Sequence, residues 1–459
     1  MGPLDLGVVA AYLAATVWLG VRGARRAADR TDDYLLAGRT LSLPAFVVAL
    51  VATWYGGVLG VGEYSYLHGL SNWLVMGVPY YVGALLFAAL FARKARMAAG
   101  YTVPDLLFDT YGRGAGIVGT VTVLALSLPA AYLLMLGVLL RRVTGWDQRF
   151  AVVASALFCF SYIAARGFRS VVRTKGLQFG LMYGGFLLLL PVAVWTAGGW
   201  SFLHQSLPAE HFTWDGAQGA GYVAAWYFIA LETLVEPTFY QRSFAARSPR
   251  TARNGILVSI LFFALFDGLT TFTGMYARAL LPGLPSGVDA FPALGERLLP
   301  AVLLGVFYAG MVATVMATVD SFLLVGGVTL GRDLVWRLSG GKADQIFWTR
   351  AGLCVATAAS AGIALASRSV VALWYGFYSV GTATLLPPLL GALYPRLRPA
   401  RRFAGWGMVV SGALTLAWLL REQASGRPWL GVEPIYAGLA AAAVTHALGI
   451  LAVRRSVVN

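Results

Sequence analysis

The apolar residues of this chain fall in runs of about 17–25, the length a helix needs to cross a hydrocarbon core of about 30 Å. Such runs cannot hide inside a soluble domain of 459 residues in which 58% are hydrophobic and only 12% charged. Mean hydropathy is +0.71. Lipid offers no hydrogen bonds, so each run must satisfy its own backbone, which selects helices over open strands. The 54 glycines fit the same setting, because small residues let membrane helices approach closely.

Thirteen spans are expected: 4–21, 42–66, 72–92, 114–140, 150–165, 176–197, 220–240, 254–281, 298–326, 351–367, 370–394, 404–420 and 433–452. The net charge of +15 is a topology signal rather than a nucleic-acid footprint. Alternate loops, beginning with the one that holds Arg22, Arg25, Arg26, Arg30 and Arg39, carry 27 of the 35 Lys and Arg residues. The positive-inside rule puts those loops in the cytoplasm, with the N-terminus outside and the C-terminus inside a plasma (cytoplasmic) membrane. The first span has no basic region before it and no cleavage site, and reads as a retained helix. Cys159 and Cys354 lie in apolar spans and read as small buried side chains. The four histidines show no ligand spacing. His204 and His211 fall in the outer segment 198–219, where they read as solvated.

One transmembrane domain, 1–459, accounts for the chain. Two of its spans are interrupted. In Ala52-Thr53-Trp54-Tyr55-Gly56-Gly57-Val58-Leu59-Gly60-Val61-Gly62, four glycines fall within seven residues, each costing a helix about 1 kcal/mol relative to alanine. In Leu231-Glu232-Thr233-Leu234-Val235-Glu236-Pro237, the proline breaks the ladder. Four ordinary helices follow each. Residues 42–197 and 220–394 therefore read as two five-helix repeats, inverted because the number is odd. An extra helix and loop (1–41) precede them and two helices (395–459) follow. Paired interruptions in two halves point to a transporter's binding site, although glycine and proline in spans also serve plain packing.

Several motifs, taken together and in order, resemble the sodium:solute symporter family. They are Asp33-Tyr34-Leu35-Leu36-Ala37-Gly38-Arg39; Ala52-Thr53-Trp54-Tyr55; Gly100-Tyr101-Thr102-Val103-Pro104-Asp105; Gly167-Phe168-Arg169-Ser170-Val171-Val172-Arg173-Thr174-Lys175 with Gln178; Pro237 with Gln241-Arg242, then Arg250 and Ala252-Arg253; and Met316-Ala317-Thr318-Val319-Asp320-Ser321. The resemblance implies an all-helical membrane protein with the leucine-transporter-type inverted-repeat fold. It implies a symporter with Na+ as coupling ion, no other cofactor and no catalytic residue.

Carried over, the sodium positions fall on Ala52, Tyr55, Thr314, Ala317 and Thr318. The ligands would be the carbonyls of Ala52, Tyr55 and Thr314 and the hydroxyl of Thr318. Thr314, Thr318 and Ser321 share a helix face by spacing. Ala317 stands where the family usually has serine, so one hydroxyl is missing. Where some family members bind a second sodium through an aspartate, this chain has Lys175, with Asp320 opposite. Unpaired charges at mid-membrane cost about 2.5–3.5 kcal/mol each on insertion scales, so a Lys175–Asp320 pair is expected in place of that ion. The alternative is a lysine that snorkels to the membrane edge.

Glu232 and Glu236 share a helix face and could hold a proton, bind an amine, or pair with arginine or freed backbone donors. Asp267 is a further intramembrane acid, equally suited to helix packing. Trp54, Tyr55, Gly56, Gly57, Tyr132 and Tyr227, with the two glutamates, are the expected solute contacts, since such pockets are mostly aromatic with a few polar anchors. Expected partners are a small-molecule solute, neutral or amine-bearing, and the lipid bilayer, with no nucleic acid and no obligatory protein partner. Rival readings are a proton-coupled or sodium-independent transporter of the same fold and a membrane sensor. An enzyme is disfavoured, because no nucleophile–base arrangement or clustered His and acids at one membrane face is visible.

Overall fold

A computed structural model describes residues 1–21, 31–98, 100–342, 344–367 and 370–458. Arg22, Arg25, Arg26, Arg30 and Arg368, five of the charges in the topology count, lie outside the described residues. The described chain is helical, with no strand longer than an isolated bridge between Leu41 and Ala246. Eleven of its helices are long and apolar enough to cross a membrane. Expected span 150–165 is a shorter apolar helix, Gln148–Ala164. Expected span 220–240 is interrupted: Ala220–Ile229, a tighter turn at Ala230–Leu234, then Pro237–Ala245.

The helix Leu303–Val328 is the axis of the molecule. The apolar stretch of the span Leu303–Trp336, which contains it, is wholly buried, whereas only 22% of that of Pro434–Arg455 is. A helix apolar all round packs at the centre, and this one does. Against it lies the long helix Gln148–Ala197, which bends at Gly167. There φ is +64°, and an added Cβ would stand 2.5 Å from the Tyr34 carbonyl oxygen, so only glycine fits. Arg169, two residues on, reaches Asp33 at 2.8 Å. Two of the sequence motifs thus form one contact.

Both interruptions are real breaks. Leu43–Trp54 passes through a tight turn, Tyr55–Gly57, into Val58–His68. At the second, Glu236 is the N-cap, accepting from the Thr238 amide at 3.0 Å, and Pro237 occupies the first helical position, where its missing N–H costs nothing.

Two expectations about burial are corrected. Cys354 is exposed, unlike Cys159, because a small apolar side chain on an outer helix faces lipid rather than protein. His211 is buried, at 3% exposure, because the outer segment folds back over the end of Val58–His68. Its ring Nε2 meets the Tyr66 carbonyl at 3.0 Å, and its own carbonyl accepts from the Leu70 amide at 2.8 Å. Burial lowers the proton affinity of His211, with the Tyr66 carbonyl and Glu210 opposing and Arg278 reinforcing. A depressed histidine pKa favours the neutral fold, so this stabilisation is present above the ordinary value of about 6.5 and is lost as pH falls below it. Thermal unfolding at pH 7.5 and at pH 5.5 should therefore show an acid-side loss that is smaller in His211→Gln.

Candidate functional site

The two breaks meet at the axis. Trp54 packs edge-on against Phe239 with ring centres 5.2 Å apart. The Thr53–Gly57 stretch lies directly against Thr318, whose hydroxyl donates to the Thr53 carbonyl across the helix interface. A Cβ added at Gly56 would stand 2.1 Å from Thr318 Oγ1, so the glycine is what permits this approach. Thr53 Oγ1 and Ser321 Oγ are 3.0 Å apart, and both accept from Arg242 Nη2, at 2.7 and 2.8 Å. Arg242 is fully buried, and it bolts the second broken helix to the first and to the axis.

The residues expected to hold sodium are buried at this junction. Ala52, Thr314 and Thr318 are fully buried and Tyr55 is 5% exposed. The Thr314 hydroxyl bonds back to the Gly310 carbonyl at 2.7 Å. Ala317 contributes no side-chain oxygen. Its carbonyl is taken instead, accepting from Ser321 Oγ at 3.1 Å and from the Lys175 ammonium.

The direct Lys175–Asp320 pair expected from sequence is not formed. Lys175 does not snorkel either, since its exposure is 0%. Its ammonium seats on the carbonyl of Ala317, one turn before Asp320. The Asp320 carboxylate is already held by the Tyr162 hydroxyl and by Gln178 Nε2, the latter at 3.3 Å. The two charges remain within electrostatic reach. They form a network through neighbouring groups rather than a contact pair.

Beside the junction is a cavity of about 70 Å³, room for several waters. Of the expected solute contacts, Trp54, Tyr55, Gly57, Tyr132, Glu232 and Glu236 line it, as does Asp267. Gly56 does not, because it faces Thr318. Tyr227 is 38% exposed and lies away from the cavity. The carboxyls of Glu232 and Glu236 meet each other, and both residues are 1% exposed. Asp267 accepts from the Tyr81 hydroxyl. Sequence reasoning did not select Tyr80, Trp374, Tyr378 or Phe322, which complete the aromatic walls. Trp374 had a signal of its own, for Gly57 and Gly60 are the spaces its ring fills: a Cβ at either would come within 2.3 or 2.8 Å of it.

Arg242 was missed for a different reason. It was assigned to a cytoplasmic loop, as were Lys175 and Arg332, and all three are buried. Part of the loop charge count is therefore structural.

Two broken helices meeting beside an aromatic, acid-lined cavity within a helical bundle define a secondary transporter. Comparison with known proteins gives the family. The model of the sodium:solute symporter family matches residues 34–396. The human high affinity choline transporter 1 is 23% identical over 439 residues, covering 89% of this chain and 73% of that protein. The sodium/pantothenate symporter of Escherichia coli (strain K12) is 23% identical over 358 residues, covering 73% and 72%. A Na+-coupled sialic acid symporter, solved in a substrate-bound outward-open state, superposes with TM-score 0.79 at 16% identity, covering 98% of this chain and 97% of that one. The chain belongs to the sodium:solute symporter family and has the leucine-transporter-type fold. Its relatives are integral membrane transporters rather than enzymes, they take small-molecule solutes, and sodium is the family's coupling ion.

Proposed function

We propose that this protein imports a small polar organic solute together with one sodium ion by alternating access across the plasma membrane. Sodium is held by the carbonyls of Ala52, Tyr55 and Thr314 and the hydroxyl of Thr318. The solute sits in the adjoining cavity against Trp54, Tyr55, Tyr132, Glu232 and Glu236. One observation carries the reading: the stretch Thr53–Gly57 both walls the cavity and faces Thr318. A ligand on either side of that stretch orders it for the other, so the coupling is reciprocal.

The two repeats, 42–197 and 220–394, are inverted copies within thirteen spans. The N-terminus lies outside and the C-terminus in the cytoplasm. Ser321 and Arg242 brace the junction. Lys175, resting on the Ala317 carbonyl, takes the place in which some family members hold a second sodium, so the stoichiometry is one.

Binding of radioactive sodium to the purified protein tests this. One ion per chain is expected, and none in Thr318→Val. Two ions per chain would contradict the role given to Lys175, and no saturable binding would contradict sodium coupling. A second reading, proton coupling through the Glu232–Glu236 carboxyl contact, predicts uptake that persists without sodium and collapses with the pH gradient.

A further inference from the structure

Resting on the assignment of the cavity as the solute site, the geometry points to an organic cation, a quaternary or protonated amine, as the solute. Three carboxyl-bearing residues, Glu232, Glu236 and Asp267, line the cavity, and no Lys, Arg or His among the described residues does. Two of the three are already answered. Glu236 accepts from the Thr238 amide at the start of Pro237–Ala245, with the buried Arg242 within electrostatic reach. Asp267 is held by the Tyr81 hydroxyl.

Glu232 differs. It is 1% exposed, faces the cavity, and among the described residues its carboxyl meets only that of Glu236. Once ionised, an acid placed in this way at membrane depth needs a counter-charge, and a cationic solute supplies one.

The walls select the kind of cation. Tyr132 and Trp374 have ring centres 6.1 Å apart at 45°, and the Tyr132 and Tyr378 hydroxyls meet at 3.1 Å. Across the cavity, Trp54 and Tyr80 meet edge-on at 5.5 Å. Ring faces around a cavity attract an ammonium whose surface is methyl or methylene, which cannot use oxygen ligands. A metal ion requires the opposite, a cluster of oxygen or nitrogen ligands, and no group of three or more His, Cys, Asp or Glu suited to a metal occurs among the described residues. An anionic solute would meet three carboxyl groups and no basic one.

The test compares two probes of similar shape on the purified chain in sodium chloride, tetramethylammonium chloride and the uncharged neopentyl alcohol. Binding is read from tryptophan fluorescence and thermal stability, with ionic strength held constant. Tetramethylammonium should bind at least tenfold more tightly than the alcohol. Glu232→Gln should reduce that affinity at least tenfold and leave the response to sodium in place, since Glu232 has no part in the sodium junction. Equal binding of the two probes, or unchanged affinity in Glu232→Gln, overturns the inference. The comparison on the native chain requires no variant to fold. A chain that prefers the cation but ignores sodium would sink the coupling reading and keep this one, and the reverse pattern would do the opposite.

Discussion

Gly56→Ala should weaken the response to sodium about 100-fold. The added Cβ would lie 2.1 Å from Thr318 Oγ1 and 2.2 Å from its Cβ. Neither is the free end of a flexible chain, because a β-branched side chain on a helix has little rotamer freedom. The break and the axis must therefore move apart. Forcing an extra methyl into a packed site costs about 1–3 kcal/mol of stability. Moving the Thr318 hydroxyl away from the carbonyls of the break should weaken sodium by roughly 100-fold, or about 2.8 kcal/mol. The double variant Gly56→Ala/Thr318→Gly separates the two effects. An added Gly56 Cβ would meet Thr318 Cβ as well as its hydroxyl and methyl, so only removal of the whole side chain relieves the clash; thermal stability then recovers in part, while sodium binding stays lost for want of the ligand. If sodium binding returned with stability, Thr318 would be a packing residue and nothing more.

The second large effect lies away from the cavity. Arg332 Nη1 bonds both Asp105 oxygens and Asp333 Oδ1, each at 2.8 Å. The side chains are 7%, 2% and 0% exposed in that order. Arg337 also bonds Asp105, and Thr102 donates to Asp333 at 2.9 Å. Removing one member of a buried ion cluster leaves the others uncompensated, a loss of roughly 3–5 kcal/mol. Arg332→Met should therefore lower the unfolding midpoint steeply, and adding Asp333→Asn should recover part of the loss. Arg142 offers the control. It pairs with Asp289 and Glu296 at 24% side-chain exposure, and Arg142→Met should cost no more than about 1 kcal/mol. Equal losses at the two sites would mean that burial does not govern these pairs.

The elements that could be read from sequence were those with a local signature. Long apolar runs gave the helices, glycines and a proline gave both breaks, and helical spacing put Thr314, Thr318 and Ser321 on the axis. Contacts between distant elements were less legible. The expected Lys175–Asp320 pair does not form, because nothing in the sequence placed Tyr162 and Gln178 on the carboxylate or the Ala317 carbonyl under the ammonium. Tyr227 was chosen for lying near a break, but at 38% exposure it turns away from the cavity; Trp374 was passed over, although Gly57 and Gly60 make room for it. Arg242 looked like a loop charge because the span was ended at 240. The break lets the chain turn and carry that guanidinium into the core, to Thr53 and Ser321.

The most direct measurement compares thermal unfolding of the purified protein in sodium chloride and in potassium chloride at equal ionic strength, for the native chain and for Thr318→Val. A ligand bound only by the folded state stabilises it by RT ln(1 + [L]/Kd), about 2.7 kcal/mol at 100 times Kd. The expected result is a sodium-specific rise in the native chain that is absent in Thr318→Val. A native chain that unfolds identically in the two salts would contradict a sodium site built at Thr318 without the serine that Ala317 replaces.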